Sequence, residues 1–245
     1  MYDNYEAVST EGDAREEEKE EQNDNDADNQ QPELFDLPND AYTFIFLSPL
    51  WTQGFFFGVY VFLLKMGLYT FLFMDAVDNL RVTQHDDTSG RLLAAQCLIM
   101  PVAVAMQGDL RVTYTLISNV KYSHMVLDYH PHATKFKYHL SNTLRGIDGM
   151  YSLCINFGVM LMADNAAGLF LNFAALEFLQ NIDNMGCKMA KQGFFTPTLE
   201  QWACKVEEMK LPKRSEGNFL TKLDSVLFIS TLENFMVAWF ILKIF

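Results

Sequence analysis

Three ionisable residues lie where a chain least tolerates charge. Lys65, Glu177 and Glu233 each interrupt a long apolar segment close to its middle. A charged side chain at a bilayer centre costs roughly 2.5–3.5 kcal/mol on insertion scales, so such residues face a protein interior or a polar cavity. Two carboxylates held together can share a proton or coordinate a cation. Lys65 would then act as counter-charge, which disfavours a permanently occupied divalent site. Asn156 sits at the middle of another apolar segment, and Asn234 follows Glu233 directly. At about 100° per residue, Glu177, Asn181, Asn184 and Lys188 form a stripe at i, i+4, i+7 and i+11. Asp183 and Asn172 share a different face, so that helix is polar on two sides and needs neighbours on both. The candidate ion or proton site is therefore Lys65, Glu177, Glu233, Asn234, Asn181, Asn184 and Asn156. The structural alternative is a buried pair of Lys65 with one glutamate, with asparagines bonding between helices.

The acid-Asn pairs themselves recur. Phe178–Asn184 reads FLQNIDN, Phe73–Asn79 reads FMDAVDN and Phe228–Asn234 reads FISTLEN. Their depths differ, however. Asp78–Asn79 falls at the edge of its segment, Asp183–Asn184 toward one end and Glu233–Asn234 at the centre. Depth, not the shared pattern, selects the candidates.

The elements that must position these residues are membrane helices, each needing about 20 mostly apolar residues. Phe55–Met74 meets that length with Lys65 as its single charge. Leu92–Met106 and Ile147–Met162 are shorter. Ala166–Ala190 carries Glu177 and Asp183, and Leu223–Phe245 carries Glu233. Pro101 lies at similar depth in the second segment, where a helix would kink and free a carbonyl. Five spans are expected. Residues 107–146 and 188–222, read as loops, are rich in Lys and Arg, while 78–91 and 163–165 are poor in them. A cytosolic N-terminus places both basic loops inside.

The net charge of −13 belongs to a tail. Residues 1–40 hold 15 acidic side chains against Arg15 and Lys19, and the remainder is balanced. The run EGDAREEEKEEQNDNDADNQQ has almost nothing to bury and is expected to be disordered. The expected division is a disordered acidic tail, 1–40, and a helical transmembrane domain, 41–245. No signal peptide is expected before the first apolar segment. The four cysteines show no CxxC spacing, and no structural disulfide is expected.

Within the second basic loop, TPTLEQWACKVEEMKLP predicts a short amphipathic helix. Thr198 and Gln201 have capping-box spacing; alternatively Thr196 caps it, with Pro197 at its first position. Leu199, Trp202, Val206 and Met209 share one face, which can dock on the membrane or on the underside of the bundle. Asp128, His130, His132 and His139, and separately His85–Asp86–Asp87, match no strong metal pattern. The sequence holds no P-loop, nucleophile elbow, HExxH or dinucleotide fingerprint. No enzyme activity, cofactor, metal or nucleic-acid partner is expected.

The run LFLNFAALEFLQNIDNMGCKMAKQGFF, Leu169–Phe195, resembles a block in multipass membrane proteins predicted from marine algae such as diatoms. The matching positions are Asn172, Phe173, Ala175, Phe178, Asp183, Ala190, Lys191, Gly193 and Phe194. A weaker echo lies at Leu144–Met150, LRGIDGM. The resemblance implies a membrane protein and carries no known activity. The acid-Asn pairs are also similar to those in membrane helices of the tellurite-resistance TerC family and its cation-transporting relatives.

These readings describe an all-α integral membrane protein of about five transmembrane helices, with a short cytosolic amphipathic helix and an acidic tail. Lipid is its first partner, and self-association is expected because five short helices enclose little lumen. The expected function is a cation or proton transporter or channel subunit. The alternative is a membrane scaffold or assembly subunit whose acidic tail recruits a basic protein.

Overall fold

The computed structural model describes residues 33–80, 90–123, 126–127, 130–214 and 219–244. Residues 1–32, His85–Asp87 and Asp128 lie outside the described residues. The described chain is mostly helical. A strand β1 (Leu34–Asp36) pairs antiparallel with β2 (Lys210–Pro212), placing Phe35 opposite Leu211. Leu37 and Asp40 are buried, so the folded domain begins before residue 41, the expected boundary. The apolar residues that follow the acidic run give this segment something to bury.

Helix α1 (Ala41–Leu47) was not expected, being far too short to span. Its N-cap Asp40 accepts from the Thr43 amide at 2.9 Å, and all seven of its residues are buried. It packs on α2 (Gln53–Leu80) at Gly58, where a Cβ would come within 2.5 Å of the Ala41 carbonyl oxygen. The chain continues through α3 (Gly90–Met106), α4 (Gly108–Asn119) and α5 (Lys135–Leu161). Next come α6 (Ala166–Gln180), α7 (Ile182–Lys191), α8 (Pro197–Glu208), a 3-10 turn (Phe219–Lys222) and α9 (Leu223–Ile244).

Two helices, Gln53–Asp75 and Leu223–Lys243, are long and apolar enough to cross a membrane. Helices α3 and α4, bent by 50° about Gln107, make a third if the pair is one span. Pro101 is accommodated within α3, and the bend falls beyond it. All five expected segments are helical, but 107–146 is not the loop it resembled. It contains α4 and the first turns of α5, and their buried polar residues Thr113, Lys137, Ser141, Asn142 and Arg145 mimic a loop in composition. The helix expected around 197–209 is present. Thr196 caps it, Pro197 is at its first position, and Leu199, Ala203 and Val206 pack against Phe44, Phe46 and Leu47 of α1. It therefore docks on the bundle.

Around its apolar core clusters, the described domain exposes many large apolar side chains and buries several charged ones. Phe71 is 72 % exposed and Leu98 75 %, while Lys65 and Arg145 are each 1 % exposed. An apolar exterior around charged groups suits lipid contact and requires every buried charge to be matched internally.

Candidate functional site

Lys65 reaches from α2 into a nest of aspartates. Its Nζ lies 2.8 Å from Asp109 Oδ2, 2.5 Å from Asp148 Oδ2 and 3.1 Å from Asp183 Oδ1. It also donates to the carbonyl oxygen of Gln180 at 3.1 Å. Asp109 is in the first turn of α4, just after the bend at Gln107, and Asp183 is in the first turn of α7, just after the break at Asn181. A helix N-terminus favours negative charge and a C-terminus positive charge. The two breaks therefore supply aspartates at N-terminal ends and, from the end of α6, a carbonyl for the ammonium. Broken helices that aim their free termini at one buried point are the arrangement by which membrane transporters hold ions.

A second ion pair adjoins the first. Arg145 Nε donates to Asp40 Oδ2 at 2.7 Å and Nη2 to Asp40 Oδ1 at 2.9 Å, with Nη1 on Asn142 Oδ1 at 2.8 Å. Tyr42 links the pairs. Its hydroxyl donates to Asp148 Oδ2 at 2.5 Å, and its ring centroid lies 5.9 Å from Lys65 Nζ and 5.4 Å from Arg145 Cζ. Burial, and then the charge of Asp148, push the Tyr42 phenol far above its ordinary value, so the hydroxyl stays a donor.

The charges do not balance. Two cations face four carboxylates, a formal surplus of two negative charges when every acid is ionised. Like carboxylates crowded in a site of low polarity cannot all stay ionised, and protonation is the relief. Asp148 Oδ1 and Asp183 Oδ2 are buried without a hydrogen-bond partner. Asp109, with 14 % of its side chain exposed, is less deeply buried than Asp148 at 1 % or Asp183 at 0 %. Oxygens of Asp40, Asp109 and Asp183 lie within 4.8 Å of one another, the spacing of a metal cluster. Here the Lys65 ammonium and the Arg145 guanidinium already supply positive charge to those oxygens.

Glycines set the geometry. A Cβ on Gly149 would lie 2.6 Å from the Leu110 backbone nitrogen, and one on Gly146 would lie 3.2 Å from Thr113 Cγ2. This close approach of α4 to α5 brings Asp109 beside Asp148.

Of the expected site residues, Lys65 is at the centre of this cluster, but its partners are aspartates. Glu177 is half-buried on α6, and its Oε1 accepts from Asn181 Nδ2 at 3.4 Å. Asn181 is exposed, and Asn184 Nδ2 donates to its Oδ1 at 3.4 Å. Glu233 and Asn234 are exposed on α9, with Asn234 Nδ2 donating to the Ser230 carbonyl at 2.8 Å. Asn156 is buried, and neither atom of its amide has a partner. The expected convergence of Glu177 and Glu233 on Lys65 is therefore corrected. On the polar two-sided helix, the face of Asp183 turns inward, while on the other face Asn181 is exposed and Glu177 half-buried with its Oε2 covered.

Sequence reading missed Asp40, Tyr42, Asp109, Arg145, Asp148 and Asp183 as site residues. One signal was present. Ile147–Met150 (IDGM) and Ile182–Met185 (IDNM) repeat one pattern, and both of its aspartates bind Lys65. No known protein family, curated protein or solved structure matches the chain.

Proposed function

We propose that this is a multipass membrane protein that transports protons through the Lys65–aspartate cluster. The observation that supports this most is the surplus of buried carboxylates around Lys65 at two helix breaks, with unpartnered oxygens on Asp148 and Asp183. In this reading α2, α3–α4, α5, α6–α7 and α9 are five crossings. The connection 192–222 holds Lys205, Lys210, Lys213, Arg214 and Lys222; placing it inside puts the N-terminus in the cytosol, and copies of the chain associate with one another in the bilayer.

Access from the cytosolic side runs through a cleft of about 430 Å³ lined by Asn39, Asn181, Asn184, Lys188 and Glu207, among others. Asn39 adjoins Asp40 and Asn184 adjoins Asp183 in the chain, so the cleft approaches the cluster from the ends of α1 and α7. Asn181, Asn184 and Lys188 of the polar stripe thus line an approach to the site instead of forming it, and Glu177 is not among the lining residues. A proton arriving on one aspartate of the cluster weakens that residue's hold on the ammonium, which shifts its weight to the remaining aspartates. Release of the proton restores the original pairing. Lys65 stays charged throughout and acts as the internal counter-ion.

The test is proton flux into liposomes containing the purified protein and a pH-sensitive dye, driven by a potassium diffusion potential. The native protein is expected to conduct protons, and Asp148→Asn combined with Asp183→Asn to abolish the flux. A native protein no more conductive than protein-free liposomes would overturn the reading.

A further inference from the structure

Helix α5 carries a polar stripe that continues past the ion-pair cluster. Lys137, Ser141, Arg145, Asp148, Ser152 and Asn156 follow one another at spacings of three or four residues, and all are at most 5 % exposed. Such spacing keeps them on one face of the helix. The cluster explains this stripe only as far as Asp148. Beyond it, Ser152 Oγ donates to Gln107 Oε1 at 2.9 Å, and Tyr69, one turn along α2 from Lys65, lies at the same level. Asn156 is a further turn on, and one turn after that the Met160 carbonyl accepts from Gln96 Nε2 at 2.8 Å.

These residues share an unusual property. Asp148 Oδ1, Gln107 Nε2, the Tyr69 hydroxyl, both amide atoms of Asn156 and Gln96 Oε1 are buried and unpartnered. Each such group costs about 1–3 kcal/mol when left unmade. Six such atoms, three on α5 itself and three facing it from α2, α3 and the bend at Gln107, are not required by packing, since apolar residues of the same size would fill the space without that cost. Groups so placed are what internal water needs, two to four polar partners at each position.

Resting on the proposed transport function, we infer that Asp148, Ser152, Asn156 and Gln96 form a hydrated proton relay from the Lys65 cluster toward the end of α5, opposite the cleft. Eight residues separate Asp148 from Asn156, a rise of about 12 Å. That distance takes the relay from the cluster to within five residues of Leu161, the last of α5. Each hop breaks one O–H bond and forms another on the next oxygen, so no other reactant is required. Asn156 and Gln96 are positioning residues that hold the water chain and do not themselves ionise.

The same liposome assay tests the relay with variants outside the cluster. Asn156→Leu replaces the amide by an apolar group of similar size and is expected to lower flux about tenfold or more, the loss of one hydrogen-bonding group expressed as a rate. Asn156→Ala leaves room for water and is expected to stay within about threefold of the native rate. Thermal unfolding of both variants shows whether a loss reflects folding. Should Asn156→Leu not fold, Gln96→Leu at the far end of the relay is read in its place, with the same expected loss. Native flux with unchanged rates in the Leu variants overturns the relay and leaves the cluster's role standing. Absence of flux in the native protein overturns the transport reading instead.

Discussion

Replacing Lys65 by Met tests whether the ammonium holds the aspartates together. The side chains are similar in length, so packing is largely kept. The formal surplus in the cluster rises from two negative charges to three, with Arg145 the remaining cation. Removing one partner from a buried ion pair costs about 3–5 kcal/mol, because it leaves charge uncompensated in a dry site. Lys65 contacts three carboxylates and a carbonyl at 2.5–3.1 Å, so we expect the upper part of that range. The loss is expected to shrink as pH falls. Without the ammonium, the folded variant takes up protons that the unfolded chain does not hold, so its stability rises with acidity. Chemical unfolding in detergent, followed by tryptophan fluorescence at pH 8 and pH 5, gives both quantities. Adding Asp148→Asn to Lys65→Met should recover at least about 2 kcal/mol, since contacting residues in one network are not additive. A single variant within about 1 kcal/mol of native, or strict additivity in the double variant, would refute the argument.

Other substitutions separate the parts of the account. Gly149→Ala drives a methyl into the Leu110 backbone and is expected to destabilise by about 1–3 kcal/mol, measured by the same unfolding assay. Tyr42→Phe removes the hydrogen bond to Asp148 and should cost about 1.5–3 kcal/mol while leaving the apolar contacts of the ring in place. Glu177→Gln and Glu233→Gln should each stay within about 0.5 kcal/mol of native stability and leave proton flux unchanged, because neither carboxylate belongs to the cluster.

The helical class and the two long apolar helices, α2 and α9, were legible because apolar length survives any detail of packing. The site was legible only at Lys65. An apolar run identifies the helix that carries a buried charge, but not the partner that neutralises it. Asp109 and Arg145 fall in 107–146, a stretch so polar that it reads as a loop, Asp148 is only the second residue of the segment Ile147–Met162, and the sequence gives no direct sign that those charges point inward. Helix breaks add a second difficulty. The bend at Gln107 and the break at Asn181 bring Asp109 and Asp183 to Lys65, although neither lies at the midpoint of its apolar segment. Helix α1 was missed because seven residues span nothing. Its role is to plug the interior with Tyr42 and, through its cap, Asp40.

The repeated Ile-Asp-x-Met pattern was the clue with most content, and its meaning is geometric. Each copy puts an aspartate on Lys65, one from the continuous helix α5 and one from the first turn of α7. The third and fourth acids come from different local structures, a helix bend and a cap, which no repeat could reveal.

The central claim is that the surplus of carboxylates in this cluster is carried as protons. Infrared spectroscopy of the purified protein at neutral pH tests it most directly, through the carbonyl stretch of protonated carboxylic acids and its shift in D2O. We predict such a band in the native protein and its loss when Asp148→Asn and Asp183→Asn are combined. A native spectrum without the band, or a band unchanged in the double variant, would contradict the account.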